Sequence, residues 1–324
     1  MVAGLTQSSL RRAAVLGGGL ICATVLPVSE ARTQASTAQP AGTQVPSGPA
    51  VGTVKLGDRG WSESYRATPA VAADQFSFGV RGGVASDYVY RGTTLSDRRP
   101  AAGAGIEATF GQFYAGATAA TVRLPTEPSA ELTFSGGVRP KIGNVDLSLG
   151  ATYYRYPGEQ LQGPTGGIDY WEAGIRGDTT IGEQIRVAAG YAWSPNVSNT
   201  GAWSHYAAAG LGYDVPARLL PQDVSVSFTG GAGYSWFGHQ SLVLGGFPLP
   251  DYLNWSVGMT ITRKVFNLDL RYHDTNLTKE SCYVFTGDPH ATPGGRVDPI
   301  TNPGGLMSRW CSPAFVARFW FALN

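Results

Sequence analysis

The sequence is poor in charged residues and in long apolar runs, and each shortage excludes a class of protein. Only 15% of its 324 residues are charged. Beyond the N-terminus there is no run of about 18 apolar residues, so no membrane-spanning helix is expected. Glycine (44 residues), tyrosine (15) and phenylalanine (13) are abundant instead. This composition differs from that of an ordinary cytosolic enzyme and favours one glycine-rich, all-β unit.

The N-terminal residues 1–31 predict a secretory signal peptide. Arg11 and Arg12 precede an apolar stretch, and the small residues Ser29 and Ala31 provide a cleavage site. Residues 32–75 are rich in Ala, Thr, Gln, Pro and Gly without hydrophobic periodicity, which predicts a disordered extension. After cleavage the chain is formally neutral, and this argues against a nucleic-acid partner.

Cysteine is scarce, and Cys282 and Cys311 are the two that remain after signal cleavage. In an exported protein such a pair predicts a disulfide, since no cluster of His and Cys at metal-ligand spacing accompanies it. The cross-link would stabilise the fold by roughly 3 to 4 kcal/mol in a loop-entropy model. We expect neither a metal site nor a cofactor.

Residues 76–92 set a pattern that the rest of the chain repeats. Taken alternately, they form one apolar face that ends in Tyr88 and Tyr90 and one face that carries Arg81 and Arg91. Similar alternation recurs in eleven later segments. The predicted strands are residues 76–92, 101–110, 113–122, 129–140, 145–156, 169–180, 185–194, 203–215, 223–236, 252–262, 266–276 and 313–323.

Connections between these twelve segments alternate between short and generally longer, which is typical of bacterial outer-membrane proteins. Residues 76–324 are therefore predicted to be all-β: a 12-stranded antiparallel transmembrane β-barrel with short periplasmic turns and longer external loops. The apolar face would contact outer-membrane lipid, and the barrel must close because an open edge leaves backbone groups unpaired in hydrocarbon. Aromatic residues near the strand ends, Tyr88 and Tyr90 among them, predict girdles at the membrane boundaries.

Four motifs together resemble one known family. They are SDYVYRG (residues 86–92), YYRYPG (153–158), DYWEAGI (169–175) and RYHDTN (271–276). As a set they resemble the TorF family of bacterial porins over the whole of the predicted barrel. This resemblance implies an outer-membrane barrel with a pore function, and it brings no catalytic residues.

The last predicted strand, PAFVARFWFALN, resembles the signal that the outer-membrane barrel-insertion machinery recognises. Its apolar face includes Phe319, Phe321 and Leu323. The chain ends in Asn324 rather than in an aromatic residue, which is a departure from that signal. We therefore expect the insertion machinery as a partner and the outer membrane of a Gram-negative bacterium as the location.

Strand parity places many charged side chains inside the barrel. Acids and arginines are nearly balanced there, so many should pair and ion selectivity should be weak. Inward Gly, Ala and Ser residues leave space for water, which favours a porin-like channel for passive diffusion of small polar solutes or ions. The candidates for lining and selectivity are Arg81, Asp87, Arg91, Glu107, Glu172, Arg176, Asp178, Arg186, Asp269, Arg271 and Arg318.

Three alternatives stay open beside the channel. Charge pairs could fill the lumen and give a closed structural barrel, or the loop between the two cysteines could bind a partner at the surface. A lipid hydrolase is the third, because His239 and Ser241 have the spacing of a base and a nucleophile on one strand face. They fall in a glycine-rich loop without an orienting partner, so the protein is predicted not to be an enzyme.

Overall fold

The computed structural model describes residues 76–323, and these form a closed antiparallel β-barrel of twelve long strands. The predicted signal peptide and extension lie outside the described residues, as does Asn324. The strands are β1 (Phe76–Ala85), β2 (Ala101–Phe110), β3 (Phe113–Ala120), β4 (Glu131–Val138), β5 (Val145–Arg155), β6 (Tyr170–Ile181), β7 (Ile185–Ser194), β8 (Ser204–Asp214), β9 (Val224–Phe237), β10 (Tyr252–Arg263), β11 (Phe266–Thr275) and β12 (Ala314–Leu323).

Every long strand pairs with its neighbours along the chain, and the first and last strands close the sheet. At this seam Gly83 of β1 lies opposite Trp320 of β12, and Val84 lies opposite Phe319. A side chain at position 83 would collide with the backbone and Cβ of Trp320, so the close approach of the two strands needs glycine there. The closed sheet satisfies the backbone without a free edge, as predicted.

The connections differ in length at the two ends of the barrel. Five turns of two to nine residues lie at the end where β1 begins, and six loops of nine to 38 residues lie at the other. The last loop contains α1 (Lys279–Thr286), which begins after Thr278 and ends at Gly287 in a left-handed conformation. The remaining short elements are the paired strands Val89–Tyr90 and Thr93–Thr94, the paired strands Thr292–Pro293 and Leu306–Met307, the strand Lys141–Ile142, and the 3-10 helices Val197–Asn199, Ala217–Leu219 and Leu242–Leu244.

The predicted disulfide is confirmed. Cys282 in α1 is bonded to Cys311, and their Cα atoms lie 5.8 Å apart. Both side chains are almost fully buried and pack with Trp310. The bond therefore fixes α1 to the segment that leads into β12. Within residues 76–323, no helix is long and apolar enough to cross a membrane.

The outer and inner faces of the strands follow the predicted parity. Large apolar side chains on the outer face are exposed, as at Phe78, Leu211 and Val257. Charged side chains on the inner face are buried, as at Asp269 and Arg318. An apolar exterior and a polar interior are the arrangement expected of a barrel that faces lipid.

The prediction for the first strand was wrong beyond Ala85. After that residue the chain leaves the sheet and folds inward, and its hairpin turns at Arg91 and Gly92, which have φ values of 48° and 80°. Tyr88 is 3% exposed, so it is not the boundary aromatic that strand alternation suggested. Tyr90 also points inward. Their hydroxyl groups reach carboxylates of other strands, which explains why both tyrosines lie inside.

Candidate functional site

Large side chains fill the part of the barrel interior that lies against β2, β3 and β4. The guanidinium group of Arg139 donates two hydrogen bonds to Glu107, at 2.9 and 3.0 Å. The same guanidinium lies 3.8 Å from the centre of the Tyr114 ring. A bidentate pair stacked on an aromatic ring restrains all three side chains and leaves little room between them.

A second group of large side chains fills the interior near the external end of β4 and β5. The buried carboxylate of Glu131 accepts hydrogen bonds from the hydroxyl groups of Tyr88 and Tyr156, both at 2.7 Å. Tyr154 is fully buried and stacks on Tyr170 with the ring centres 4.7 Å apart. The inward-folded first loop thus packs against the strands through Tyr88.

The third filled region lies between β10, β11 and β12. Asp269 is completely buried and accepts hydrogen bonds from Arg271 at 2.9 and 3.1 Å and from Arg318 at 3.3 Å. The hydroxyl group of Thr260 donates a further bond at 2.8 Å. One carboxylate between two arginines is well satisfied, which a buried charge requires.

The opposite part of the interior is open. A cavity of about 250 Å³ runs along the inner face of β6 to β10. It exists because the inward residues of β7, β8 and β9 are small. Gly233 in addition leaves the space that the Tyr206 side chain occupies, since a Cβ there would collide with its ring. The small inward residues along the cavity are Ala188, Gly190, Ala208, Gly210, Gly212, Gly231 and Gly233.

The cavity extends along most of the barrel axis. Glu172 and Asn254 line it close to the external ends of β6 and β10, while Asp178 and Arg186 line it close to the short-turn ends of β6 and β7. Six residues of a strand separate Glu172 from Asp178, a length of roughly 20 Å. The lining is therefore a passage-shaped surface rather than a compact pocket.

The tip of the first loop narrows this cavity near its external end. Arg91 donates two hydrogen bonds to Glu172, both at 3.0 Å. Its guanidinium group lies 4.6 Å from the ring centre of Tyr90 and 4.1 Å from that of Tyr206. Burial is the largest influence on the pKa of Arg91 and would lower it, but the Glu172 carboxylate together with nearby tyrosines outweighs burial and raises it. Arg91 is thus a permanently charged group held across the lumen, and these four residues form a constriction.

Further charges line the passage below the constriction. Arg186 pairs with Asp214 through two contacts of 3.0 Å, and Arg176 lies 3.6 Å from Asp178. Arg271 reaches the passage and donates to the hydroxyl group of Thr229 at 2.7 Å. Each arginine has an acidic or hydroxyl partner nearby, so the lining alternates in charge.

The structure brings six of the eleven predicted lining residues to this cavity, and their part in selecting solutes stays a prediction. Of the others, Arg81 borders a second cavity of about 10 Å³. Asp87 is buried in the first loop, where it accepts hydrogen bonds from Thr94 and Ser96. Glu107, Asp269 and Arg318 belong to the filled regions. The six residues at the main cavity are Arg91, Glu172, Arg176, Asp178, Arg186 and Arg271.

Sequence reasoning missed three residues that border the constriction. Tyr206 and Asn254 lie on the inward faces of β8 and β10, and the hydroxyl of Tyr206 is 3.2 Å from the Asn254 side chain. Strand parity alone could have found both, because uncharged polar residues follow the same alternation. Tyr90 could not be found this way because it belongs to the loop.

The possible nucleophile and base, Ser241 and His239, are not hydrogen-bonded to each other. Nδ1 of His239 lies 3.0 Å from the carbonyl oxygen of Gly246. The buried hydroxyl of Ser241 has no hydrogen-bond partner among the residues that the structure describes. A general base must reach the proton that it removes, and here His239 is hydrogen-bonded to the backbone instead of to Ser241.

Several solved barrels resemble this chain at low sequence identity. The KdgM porin is 6% identical with a TM-score of 0.40, covering 76% of this chain and 99% of that one. OmpT, an outer membrane protein of Vibrio cholerae, is 10% identical with a TM-score of 0.33 and covers 79% and 100%. LpxR from Salmonella typhimurium is 10% identical with a TM-score of 0.37 and covers 76% and 99%. Likenesses this distant carry no argument about function.

The family comparison concerns most of the barrel. A family model described as "Bacterial protein of unknown function (Gcw_chp)" matches residues 69–292. No curated protein matches the sequence. The match includes the first loop, all of β1 to β11 and α1.

Proposed function

The chain belongs to the Gcw_chp family of bacterial proteins, and we propose that it is an outer-membrane channel through which small polar solutes or ions diffuse passively. The apolar exterior of the barrel would contact outer-membrane lipid, and β12 would be read by the insertion machinery. The TorF resemblance of the sequence is compatible with this function.

The observation that carries the proposal is the cavity along β6 to β10. It reaches from Glu172 near the external end to Arg186 near the short-turn end, and small residues keep it open. Its volume of about 250 Å³ leaves room for several water molecules along the passage. A passage of this size admits water, ions and small solutes but excludes folded proteins.

The charges of the lining favour weak ion selectivity. Four arginines and two acids border the cavity directly, and Asp214 and Asp269 pair with two of those arginines. Fixed positive and negative groups therefore nearly cancel along the passage. A ring of one sign, which strong selectivity requires, does not occur among the described lining residues.

Single-channel recording in a planar bilayer tests the proposal. Substitutions at the constriction then show whether the conducting path runs past Arg91 and Glu172. We expect wild-type conductance above background, with a reversal potential close to zero in a salt gradient. Arg91→Asn combined with Glu172→Gln should raise the conductance, since the guanidinium no longer crosses the lumen. Asn suits position 91 because it tolerates a positive φ, and changing both partners leaves no buried unpaired charge.

The matched control is Arg139→Gln combined with Glu107→Gln, a bidentate pair on the filled side of the interior. We expect its conductance to equal that of the wild type. Folded protein without conductance would overturn the channel and favour the closed structural barrel. Equal increases from both double variants would show that the passage does not run past Arg91.

A further inference from the structure

The first external loop (residues 86–100) and the last external loop (residues 276–313) are joined at the barrel mouth. The guanidinium group of Arg98 donates hydrogen bonds to the carbonyl oxygens of Arg309 at 3.0 Å and Ser312 at 3.1 Å. The indole N–H of Trp310 donates to Oδ1 of Asp97 at 3.0 Å. The disulfide holds the last loop in place next to these contacts. The two loop segments are therefore fixed relative to each other at this junction.

Three potential metal ligands from the two loops meet at this junction. Nδ1 of His290 lies 3.7 Å from Oδ2 of Asp97 and 3.9 Å from Oδ1 of Asp288. One ligand atom from each of the three residues lies within 4.8 Å of the others. These separations are too long for direct hydrogen bonds between the imidazole and the carboxylates. A nitrogen ligand thus faces two carboxylate oxygens without contacting either.

The surroundings orient both carboxylates towards the imidazole. Asp288 is 4% exposed, and its Oδ2 accepts a hydrogen bond from the Ser308 hydroxyl at 2.7 Å. Its Oδ1 accepts the backbone N–H of His290 at 2.8 Å and keeps a free lone pair. In Asp97, Oδ1 is engaged by Trp310, so Oδ2 is the oxygen that faces His290. Outer hydrogen bonds of this kind are typical of carboxylates that bind metals.

We propose that Asp97, Asp288 and His290 bind a Zn²⁺ ion that links the first and last external loops. Zn²⁺ lies about 2.0 to 2.2 Å from such ligands, and tetrahedral geometry then separates the ligand atoms by about 3.4 Å. The two distances to His290 would have to shorten by a few tenths of an ångström, and the two carboxylate oxygens, which lie within 4.8 Å of each other, would have to approach to the same separation. His290 has the freedom to shift, because 67% of its side chain is exposed.

The types of ligand atom at this site determine which metal ion it prefers. An imidazole nitrogen with two carboxylate oxygens suits Zn²⁺, whereas Ca²⁺ requires six to eight oxygen ligands. Arg99 lies 3.4 Å from Oδ2 of Asp97, and its side chain is 58% exposed, so it can move into solvent when the ion binds. With three protein ligands, water would fill the fourth position and the site would stabilise the loops.

Calorimetric titration of tag-free, EDTA-treated barrel in detergent micelles tests the site with ZnCl₂. We expect one Zn²⁺ per chain and a higher unfolding temperature in its presence, with no heat from CaCl₂. His290→Ala should weaken Zn²⁺ binding by more than the roughly 10- to 100-fold that loss of an outer-shell partner causes. Asp97→Asn should weaken it comparably, since it removes one anionic ligand.

The control is His239→Ala, which removes a histidine from a different external loop and should leave Zn²⁺ affinity unchanged. Circular dichroism of each variant establishes that the barrel is folded before titration. Absence of Zn²⁺ binding to the wild type would overturn the site. Equal affinity of the wild type and the folded His290→Ala variant would overturn it as well.

Discussion

Asp87 is a buried carboxyl group in the first external loop. It lies 2.5 Å from the Thr94 hydroxyl and 2.9 Å from that of Ser96, and Arg98 is close enough to attract it electrostatically. Burial is the largest influence and raises its pKa above the ordinary value of 3.8, although these partners oppose the rise. The folded protein therefore holds the Asp87 proton more tightly than the unfolded chain does.

This difference predicts a pH dependence of stability. Because the folded state binds more protons here, the Asp87 contribution to the free energy of unfolding falls as pH rises from 3.8 through the raised pKa. Above that range the contribution is constant. The Asp87→Asn variant lacks this titrating group. The free energy of unfolding of the variant minus that of the wild type should therefore increase with pH across this window. Denaturant unfolding in detergent at several pH values measures it.

Asp298 provides a control of opposite sign in the last external loop. Its carboxylate accepts the backbone N–H groups of Ile300 at 2.9 Å and Thr301 at 2.8 Å, and the bond to Thr301 is the largest influence that lowers its pKa. Its contribution is present above pH 3.8 and is lost as pH falls through the lowered value. If Asp87→Asn and Asp298→Asn changed the pH profile in the same direction, the assignment to Asp87 would be incorrect.

Strand bounds were largely predictable, and the loops were not. Alternation predicted β2 and β7 with the bounds that the structure has, because two-residue periodicity ends where the chain leaves the barrel. It failed for residues 86–92, where alternation continues although strand pairing with the barrel ends at Ala85 and Ser86 makes only a last backbone bond to Ala317. The turn at Arg91 and Gly92 depends on contacts with distant strands, and local periodicity contains no information about those contacts.

The same distinction applies to the candidate site. The inward position of Glu172, Arg186 and Arg271 follows from parity alone. Which arginine pairs with which acid depends on the register of strands far apart in sequence, so the Arg91–Glu172 pair could not be predicted. The sizes of the inward side chains did predict the position of the cavity, however, because the inward glycines of β8 and β9 mark where the lumen stays open.

The disulfide should stabilise the last external loop more than the barrel wall. Cys282 lies in α1 and Cys311 lies just before β12, while the strands are held by their own hydrogen bonds. Cys282→Ser with Cys311→Ser should remove a constraint worth roughly 3 to 4 kcal/mol in a loop-entropy model. We expect faster amide exchange and proteolysis within residues 276–313, measured by mass spectrometry.

Exchange in β6 to β8 serves as the internal reference for that experiment. These strands are remote from Cys282 and Cys311 along the sheet, so their protection should match that of the wild type. A uniform loss of protection throughout the barrel would show that the disulfide supports the whole fold rather than the loop.

The apolar exterior as a whole predicts how the barrel responds to a charge in its wall. Val257 lies in the middle of β10, and its side chain is 59% exposed on the outer face. Val257→Arg would place a cation in the centre of the hydrocarbon, at a cost of about 2 to 4 kcal/mol. Reversible unfolding from lipid vesicles measures this loss of stability.

Leu219→Arg is the matched control, because Leu219 is 68% exposed but lies in a turn beyond the strands. Its substitution should change stability by less than about 1 kcal/mol, as expected near or outside the interface. Similar losses for both variants would contradict the assignment of the outer face to lipid.

The unequal filling of the interior gives the barrel two walls of different mechanical stiffness. Around β2 to β5 and β12, interlocked pairs such as Arg139 with Glu107 brace the sheet from within. Along β7 to β9 the bracing is sparser, because glycine and alanine occupy most inward positions between the Arg186–Asp214 pair and Tyr206. Lateral pressure from the bilayer would therefore flatten the cross-section on the glycine-rich side first, so membrane tension would adjust the width of the passage while the braced wall kept its shape.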